Sequence, residues 1–444
     1  MANPEAERLG REVIARLRAA GHEAMFVGGW VRDRLLGREQ DTTGDIATSA
    51  RPEDVRALFP RTVAVGEQFG VVIVIEGGLP FEVATFRADD AYVDGRRPTS
   101  VRFTGAREDA QRRDFTINGM FLDPESGEVL DWVGGREDLE RRVVRAIGDP
   151  RTRFTEDKLR MIRAVRFAAT LGFTIEPETA AAMGAMASEI GVVSRERIGD
   201  EIVRILLGGG ARRGIELLSA TGLLLEVLPE IEAMKGVEQG REHHPEGDVW
   251  MHTRLALAGV DRSPLRTEPL ALGALLHDVA KPVCAERREG KITFYGHCER
   301  GAEIAAEICR RLRRSNAVAD RVAWLVENHL RHVNAPNMRV ATLKRFLRQE
   351  GIEELLELCR IDAEAANGDL TWFEFCRAKL GEFGREEMKP ARLVSGGDLI
   401  ALGYRPGPRF KQILGAVEEA QLEGTIASRD EALALLRDRF PRVD

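Results

Sequence analysis

The sequence predicts an α+β protein, with an N-terminal mixed β-sheet carrying helices and a remainder that is all helical. Three observations carry this. Up to about residue 148, short strand-like runs alternate with helical ones. From about residue 155, apolar residues recur at helical spacing and strand signals nearly vanish. The chain has 444 residues, 43% of them hydrophobic, so it is too long for one core and too apolar to be disordered.

Residues 5 to 20 read as an amphipathic helix, Ala24 to Val27 as a strand, and Trp30 to Leu36 as a helix following a Gly pair. Strands are expected at Asp45 to Thr48, Thr62 to Val65, Val71 to Glu76 and Pro80 to Phe86, with a helix from Pro52 to Leu58. Further on, Leu159, Ile162, Val165 and Phe167 make one apolar stripe, and Ile202, Ile205 and Leu206 another. Gly, Pro and charge cluster in GDPRTRF (148 to 154), LLGGGARRG (206 to 214) and EQGREHHPEGD (238 to 248), which suggests breaks there.

No run approaches the roughly 18 apolar residues of a membrane helix, and the first residues lack the apolar stretch of a signal peptide. A cytoplasmic protein with no membrane contact is expected. The five cysteines, Cys284, Cys298, Cys309, Cys359 and Cys376, form no C-x-x-C pair, so neither a disulfide framework nor a cysteine zinc site is suggested. Of 65 cations 57 are Arg; bidentate phosphate recognition and GC-biased codon usage both account for that. The net charge of −7 conceals a local excess, because residues 141 to 170 carry nine cations and three anions. That stretch suits a polyanion or nucleotide, or a solvated helix face.

VGGWVRDRLLG (Val27 to Gly37) places two glycines between a strand and a helix N-terminus, where exposed amides favour a phosphate. A Gly pair alone is equally a tight turn. Here it is followed in order by DIATSA (Asp45 to Ala50), FEVATFR (Phe81 to Arg87), RRDFTIN (Arg112 to Asn118) and EDKLRMIRAVRF (Glu156 to Phe167). Over about residues 20 to 235 these motifs resemble the class II tRNA nucleotidyltransferase and poly(A) polymerase family, which adds CCA or A residues to RNA 3′ ends. The resemblance implies Mg2+-dependent phosphoryl transfer, with carboxylates on adjacent strands as metal ligands and catalytic groups. Asp45 and Glu82 match those carboxylates. Gly28, Gly29 and Arg32 match the nucleotide phosphate motif, in which Asp33 also lies, and Arg112, Arg113, Asp114 and Asn118 match the motif that contacts ribose and triphosphate. Asp157 and Arg160, with Arg163 beside them, match the pair that reads the base edge of ATP or CTP; their spacing of three places both on one helix face.

The family usually carries Asp-x-Asp on the second strand, whereas this chain reads Asp41-Thr42-Thr43-Gly44-Asp45. Asp41 has the right parity, but at ~3.3 Å per residue it lies about 13 Å from Asp45 if extended. A magnesium ion about 2.1 Å from each ligand oxygen does not bridge that distance. Three outcomes are open: a bulge or a kink at Gly44 returns Asp41 to the site, Thr43 substitutes weakly, or the transferase is impaired.

Seven of the eight histidines fall between residues 243 and 332, which marks them as candidate metal ligands. These are His243, His244, His252, His277, His297, His329 and His332. ALLHDVAKP (Ala274 to Pro282) resembles the HD phosphohydrolase superfamily, whose ligands come as His, then His-Asp, then a distant Asp. His252, His277-Asp278 and Asp362 match that set, and His297 and His329 match additional histidines of the dinuclear forms. The resemblance implies a divalent transition metal such as Ni2+, Mn2+, Fe2+ or Co2+, and hydrolysis of a phosphomonoester or phosphodiester. Lys281 either offsets phosphate charge or is a solvated cation.

Domains are accordingly expected at residues 1–148 (nucleotidyltransferase head), 149–237 (helical neck for RNA and base recognition), 238–370 (HD domain) and 371–444 (helical tail). The tail has no catalytic signature; RNA contact through its arginines and simple packing are both open, and Trp372, Phe373 and Phe375 read as core rather than an RNA stacking surface. The expected partners are tRNA or other RNA 3′ ends with ATP and CTP, in a monomer or homodimer. The alternatives are a phosphohydrolase with a transferase-impaired, RNA-binding head, and a poly(A) polymerase.

Overall fold

Alternation of apolar and polar residues, punctuated by Gly and Pro, sets the order of the N-terminal elements. The computed structural model describes residues 4–38, 43–64, 70–89, 101–240, 244–288 and 291–441. These form two compact units, one of residues 1–232 with 311–314, the other of residues 233–310 with 315–444.

In the first unit, helix α1 (Pro4–Ala19) buries Leu9, Val13, Ile14 and Leu17. It approaches the sheet so closely that a β-carbon on Gly10 would meet the Phe26 ring at 2.7 Å. Then come β1 (Ala24–Val27), α2 (Gly29–Leu35), β2 (Ile46–Thr48), α3 (Pro52–Leu58), β3 (Thr62–Ala64), β4 (Val71–Glu76) and β5 (Leu79–Thr85). A separate hairpin, β6 (Arg87–Asp89) and β7 (Val101–Phe103), leads to α4 (Ala106–Gln111), β8 (Phe121–Leu122), β9 (Val129–Leu130) and α5 (Gly135–Arg141). Among the described residues, seven strands make one mixed sheet in the order β3-β4-β5-β2-β1-β8-β9, with β2 and β5 parallel and the other neighbours antiparallel. One face packs on α1 through Phe26 and Phe81. The other carries Met25, Val27, Ala47, Phe86 and Phe121 against Ala106 and Ala110 of α4.

The expected strands and helices of this region lie within one or two residues of the observed ones; Val65, the last residue of the third expected strand, lies outside the described residues. The helical remainder of the unit is α6 (Pro150–Glu156), α7 (Leu159–Leu171), α8 (Pro177–Met186), α9 (Arg195–Leu207), α10 (Ala211–Ala220), α11 (Leu223–Val227) and α12 (Pro229–Glu232). It is interrupted by a parallel ladder between β10 (Val143–Val144) and β11 (Thr174–Ile175), two-residue strands too short to show a period in the sequence. The Gly-rich run at 206 to 214 proves to be the turn between α9 and α10 inside this unit.

In the second unit, α13 (Val249–Arg262), α14 (Glu268–Leu276) and α15 (Lys281–Cys284) precede a hairpin of β12 (Glu286–Arg288) and β13 (Lys291–Thr293). Next come α16 (His297–Arg311), α17 (Asn316–Asn328), α18 (Val340–Leu347) and α19 (Ile352–Ala365). Every residue from Leu270 to Leu276 is buried, as suits a helix surrounded by α13, α17 and α19. Helices α20 (Thr371–Glu382), α21 (Arg385–Met388), α22 (Gly396–Ala401), α23 (Pro408–Leu422) and α24 (Arg429–Arg439) follow. Leu399, Ile413, Val417 and Leu436 give the last of these helices a core of their own. Trp372 is buried, with Phe373 and Phe375 half-buried beside it. Among the described residues no helix is long and apolar enough to cross a membrane.

Candidate active sites

Asp45 and Glu82 are brought together by strand register. Strands β2 and β5 run parallel with Ile46 opposite Val83, so one step back along each chain places Asp45 beside Glu82. Alternation puts both on the sheet face away from α1, because Phe26, Ile46, Phe81 and Val83 occupy the other. Gly44 fits this arrangement for steric reasons: a β-carbon there would lie 2.8 Å from the Phe26 ring, which stacks on Trp30 with centroids 4.1 Å apart. Packing around Asp45, followed by the charge of Glu82, pushes the Asp45 carboxyl up to about 6, with Arg113 and Arg32 pulling the other way.

Gly28 takes φ +74° at the mouth of α2, and a β-carbon there would lie 3.3 Å from Arg113 Nη1 and 3.8 Å from Asp45 Oδ2. A pocket of about 460 Å³ opens here, lined by Gly28, Gly29, Arg32, Asp45, Arg112, Arg113, Asp114, Asn118, Asp157, Arg160, Arg163, Arg166, Phe167 and Arg197. A second recess of about 220 Å³ adjoins it at Asp45, Arg112 and Arg113 and includes Glu82 and Arg87. Seven arginines against three aspartates give the lining of the larger pocket an excess of positive charge.

Most of the charged lining side chains are held by a partner. Arg32 donates to Asn118 Oδ1 at 2.6 Å and forks onto Asp33 at 2.8 and 2.9 Å. Arg112 and Arg113 both pair with buried Asp109, at 2.6 and 3.0 Å. Arg163 donates to Asp114 Oδ2 at 2.6 Å, and Asn118 Nδ2 donates to Asp114 Oδ1 at 3.1 Å. Burial opposes the Asp114 charge, but Arg163 outweighs it and holds the carboxyl well below the usual range. Phe167 is clasped by three guanidiniums, those of Arg32, Arg163 and Arg166, at 5.0, 5.4 and 4.1 Å from its centroid.

Two expectations need correction or restriction. Asp157 does not share a helix with Arg160: it ends α6 in an extended conformation, φ −148°, ahead of α7, and its Oδ1 accepts from the Leu159 amide at 3.1 Å. Instead of pairing with Arg160 it accepts from Arg197 Nη2 at 2.6 Å, while Arg160 donates to Glu156 and to the carbonyls of Arg153 and Arg112. Asp41 lies outside the described residues. The Thr43 hydroxyl is committed to the Pro80 carbonyl at the start of β5.

In the second unit, α13 supplies His252, the end of α14 supplies His277 and Asp278, α16 begins with His297, α17 ends at His329, and α19 supplies Asp362. Gly259, two turns from His252 on α13, lets that helix meet α19: a β-carbon there would lie 2.8 Å from Ile361, the neighbour of Asp362. His252 Nε2 lies 2.8 Å from Asp362 Oδ1 and 3.1 Å from His277 Nε2. His277 Nε2 lies 3.4 Å from Asp278 Oδ2, while His297 and His329 Nε2 lie 3.7 and 3.9 Å from Asp278 Oδ1. A metal with bonds of about 2.1 Å places its ligand atoms roughly 3 to 4 Å apart.

The hydrogen bonds on the far side of each ring suit metal ligation. Nδ1 of His277, His297 and His329 meets the carbonyl of Ala274, Phe294 and Val326, at 3.0, 2.8 and 2.6 Å. A carbonyl only accepts, so Nδ1 holds a proton and Nε2 of each ring is the atom that faces the cluster. Burial pushes His297 down, and burial with neighbouring His277 pushes His329 down to about 4, so both are neutral at pH 7. His252 Nδ1 meets the Glu246 carboxylate at 2.7 Å. Burial opposes protonation of His252, yet its bonds to Asp362 and Glu246 raise it to about 10, so a metal ion binding at Nε2 would have to displace the proton shared with Asp362.

Lys281 is no solvated cation: it is buried, 2.7 Å from Asp278 Oδ2, and donates to Gln239 at 2.6 Å. His243 lies outside the described residues, and His244 bonds Glu246 at 2.8 Å. Residues not singled out from sequence are Phe167, which reads there as core, Arg166, which reads only as local charge, Arg197, Glu246 and Cys298. Arg197 and Glu246 stand in no motif; Cys298 adjoins His297, and that adjacency was the available signal.

Residues 24–145 match the family model of the poly A polymerase head domain, 172–235 that described as a probable RNA and SrmB-binding site of polymerase A, and 248–367 the HD domain. CCA-adding enzymes of Levilactobacillus brevis and Geobacillus stearothermophilus are 46% and 47% identical over half of this chain, which spans 55% and 54% of their lengths. A crystal structure of the Bacillus stearothermophilus CCA-adding enzyme in complex with CTP is similar at TM-score 0.75 and 30% identity, covering 99% of this chain and 98% of that one. The Thermotoga maritima CCA-adding enzyme complexed with tRNA shares the fold, with TM-score 0.58 and 19% identity over 97% of this chain and 95% of its own. The CCA-adding enzyme of Streptococcus gordonii is 34% identical over 425 residues, 95% of this chain and 94% of that protein, and the chain belongs to the CCA-adding enzyme family.

Proposed function

We propose that this protein is a template-independent nucleotidyltransferase that adds CMP and AMP, from CTP and ATP, to tRNA 3′ ends. The observation that carries this reading is the Asp45–Glu82 pair on parallel strands, with Asp45 in the wall of the arginine-lined pocket and Glu82 in the adjoining recess. Family membership and the CTP-bound relative support it. Magnesium ions held by Asp45 and Glu82 would supply charge neutralisation at the reacting phosphate and its leaving group. The amides of Gly28 and Gly29, with Arg32, Arg112 and Arg113, bind the triphosphate; Asn118 and Asp114 face the ribose. Asp157 accepts from the exocyclic amine common to cytosine and adenine, and Arg160 donates to ring acceptors. Arg197 holds Asp157 in orientation through a 2.6 Å hydrogen bond. The RNA 3′ oxygen forms a bond to the α-phosphorus as the bond to pyrophosphate breaks, and the hydroxyl proton passes to solvent.

In the second unit His252, His277, Asp278 and Asp362 would hold a divalent transition metal such as Ni2+, Mn2+, Fe2+ or Co2+, which would lower the pKa of water for attack at neutral pH. The reaction is hydrolysis of phosphoesters at RNA ends, with Lys281 neutralising charge beside Asp278. We place the domain limits at residues 148, 237 and 370, and the protein in the cytoplasm. Labelled CTP and ATP offered with tRNA lacking its 3′ end test the transferase: sequential CCA incorporation is expected, and no incorporation with magnesium or manganese overturns it.

A further inference from the structure

Asp278 presents its two oxygens to different neighbours. Oδ2 faces His277 and His252 at 3.4 and 3.8 Å, whereas Oδ1 faces His297 and His329 at 3.7 and 3.9 Å. On the Oδ1 side a further donor completes the group: Cys298 Sγ lies 3.7 Å from His297 Nε2, and the sulfur and the His297 and His329 nitrogens all lie within 4.8 Å of one another. A tetrahedral ion with metal–nitrogen or –oxygen bonds of about 2.1 Å and a metal–sulfur bond of about 2.3 Å sets its ligand atoms about 3.4 to 3.6 Å apart. The separations of 3.7 and 3.9 Å at Oδ1 and of 3.7 Å at Sγ come within a few tenths of an ångström of that spacing. Its place at the start of α16 accounts for the partial burial of Cys298 but not for its sulfur lying beside the same two imidazole nitrogens that face Asp278 Oδ1.

We propose that Cys298 is a thiolate ligand of a second metal position, formed with His297, His329 and Asp278 Oδ1, which favours a thiophilic divalent ion such as zinc over manganese. The inference rests on the reading of the histidine–aspartate cluster as a metal centre and adds to it a sulfur donor and a metal preference. On binding, the S–H bond breaks, its proton passes to solvent and a sulfur–metal bond forms, with no change of oxidation state. A thiolate is the softest donor of the set, so it shifts selectivity from hard oxygen-seeking ions toward zinc and cobalt.

Cobalt(II) is the probe, titrated into the full chain after removal of metal by chelation. The wild type is expected to show a thiolate-to-cobalt charge-transfer band in the near ultraviolet. Cys298→Ser is expected to lose that band while still binding cobalt, Cys284→Ser to keep it, and the zinc-over-manganese preference of Cys298→Ser to fall about tenfold or more. A wild-type protein that binds cobalt without the band, or a band that persists in Cys298→Ser, overturns the role of Cys298 and leaves the metal centre standing. A wild-type protein that binds no cobalt overturns the metal centre and this inference together.

Discussion

Asp114 shows how the arginine pocket is held in shape by its own acids. Its carboxylate accepts from Arg163, Asn118 and the Phe115 amide, and it is ionised in spite of its burial because Arg163 lies 2.6 Å away. With the folded pKa below the unfolded value of about 3.9, this stabilisation is full above that pH and is lost as pH falls below it. Asp114→Asn is therefore expected to lower unfolding free energy by about 2 kcal/mol at pH 7, with the gap closing below about pH 3 in urea titrations. Arg197 makes the corresponding contact to Asp157. Arg197→Ala is expected to cost about tenfold in kcat/KM for CTP and ATP, read by steady-state incorporation, while leaving global stability near wild type. Residue chemistry was largely legible in the sequence, since carboxylates and arginines cluster in ordered motifs. Phe167 and Arg197 were not, because one falls on an apolar helical stripe and the other reaches the pocket only through the packing of α9 on α7.

At the level of elements, register decides the site. A slip of one residue between β2 and β5 would turn Asp45 away from Glu82, and Gly44 guards against it by letting Phe26 and Trp30 stack under the strand. Gly44→Val is expected to destabilise the protein by about 1 to 3 kcal/mol through overpacking at Phe26, seen as a lower Tm, and to reduce incorporation more than a surface Gly→Val control. Strand and helix identities were legible because their periods differ. The break between α6 and α7 was not: sequence spacing alone puts Asp157 and Arg160 on one helix, and only the extended backbone at Asp157 separates them. Likewise the Thr43 position was legible as a departure, but its bond to Pro80 depends on the parallel pairing of strands far apart in sequence.

For the whole molecule, the two proposed centres belong to different compact units, one built on the central strands of a sheet and one on a helix bundle. Asp45→Asn is expected to abolish nucleotide incorporation and keep metal content and phosphoester hydrolysis, and His277→Ala to do the reverse, with the two activities assayed on the same preparations. Loss of both activities in either variant contradicts the separation. The proposed second centre was legible because seven of only eight histidines fall in one region, whereas the net charge of −7 hid the arginine pocket until it was resolved by position. The central claim is that Asp45 acts in the transfer step rather than in nucleotide capture. Its most direct test is the single-turnover rate of CMP addition by Asp45→Asn at saturating CTP: a loss of at least about 100-fold with the fold intact is predicted, and a rate near wild type contradicts the account.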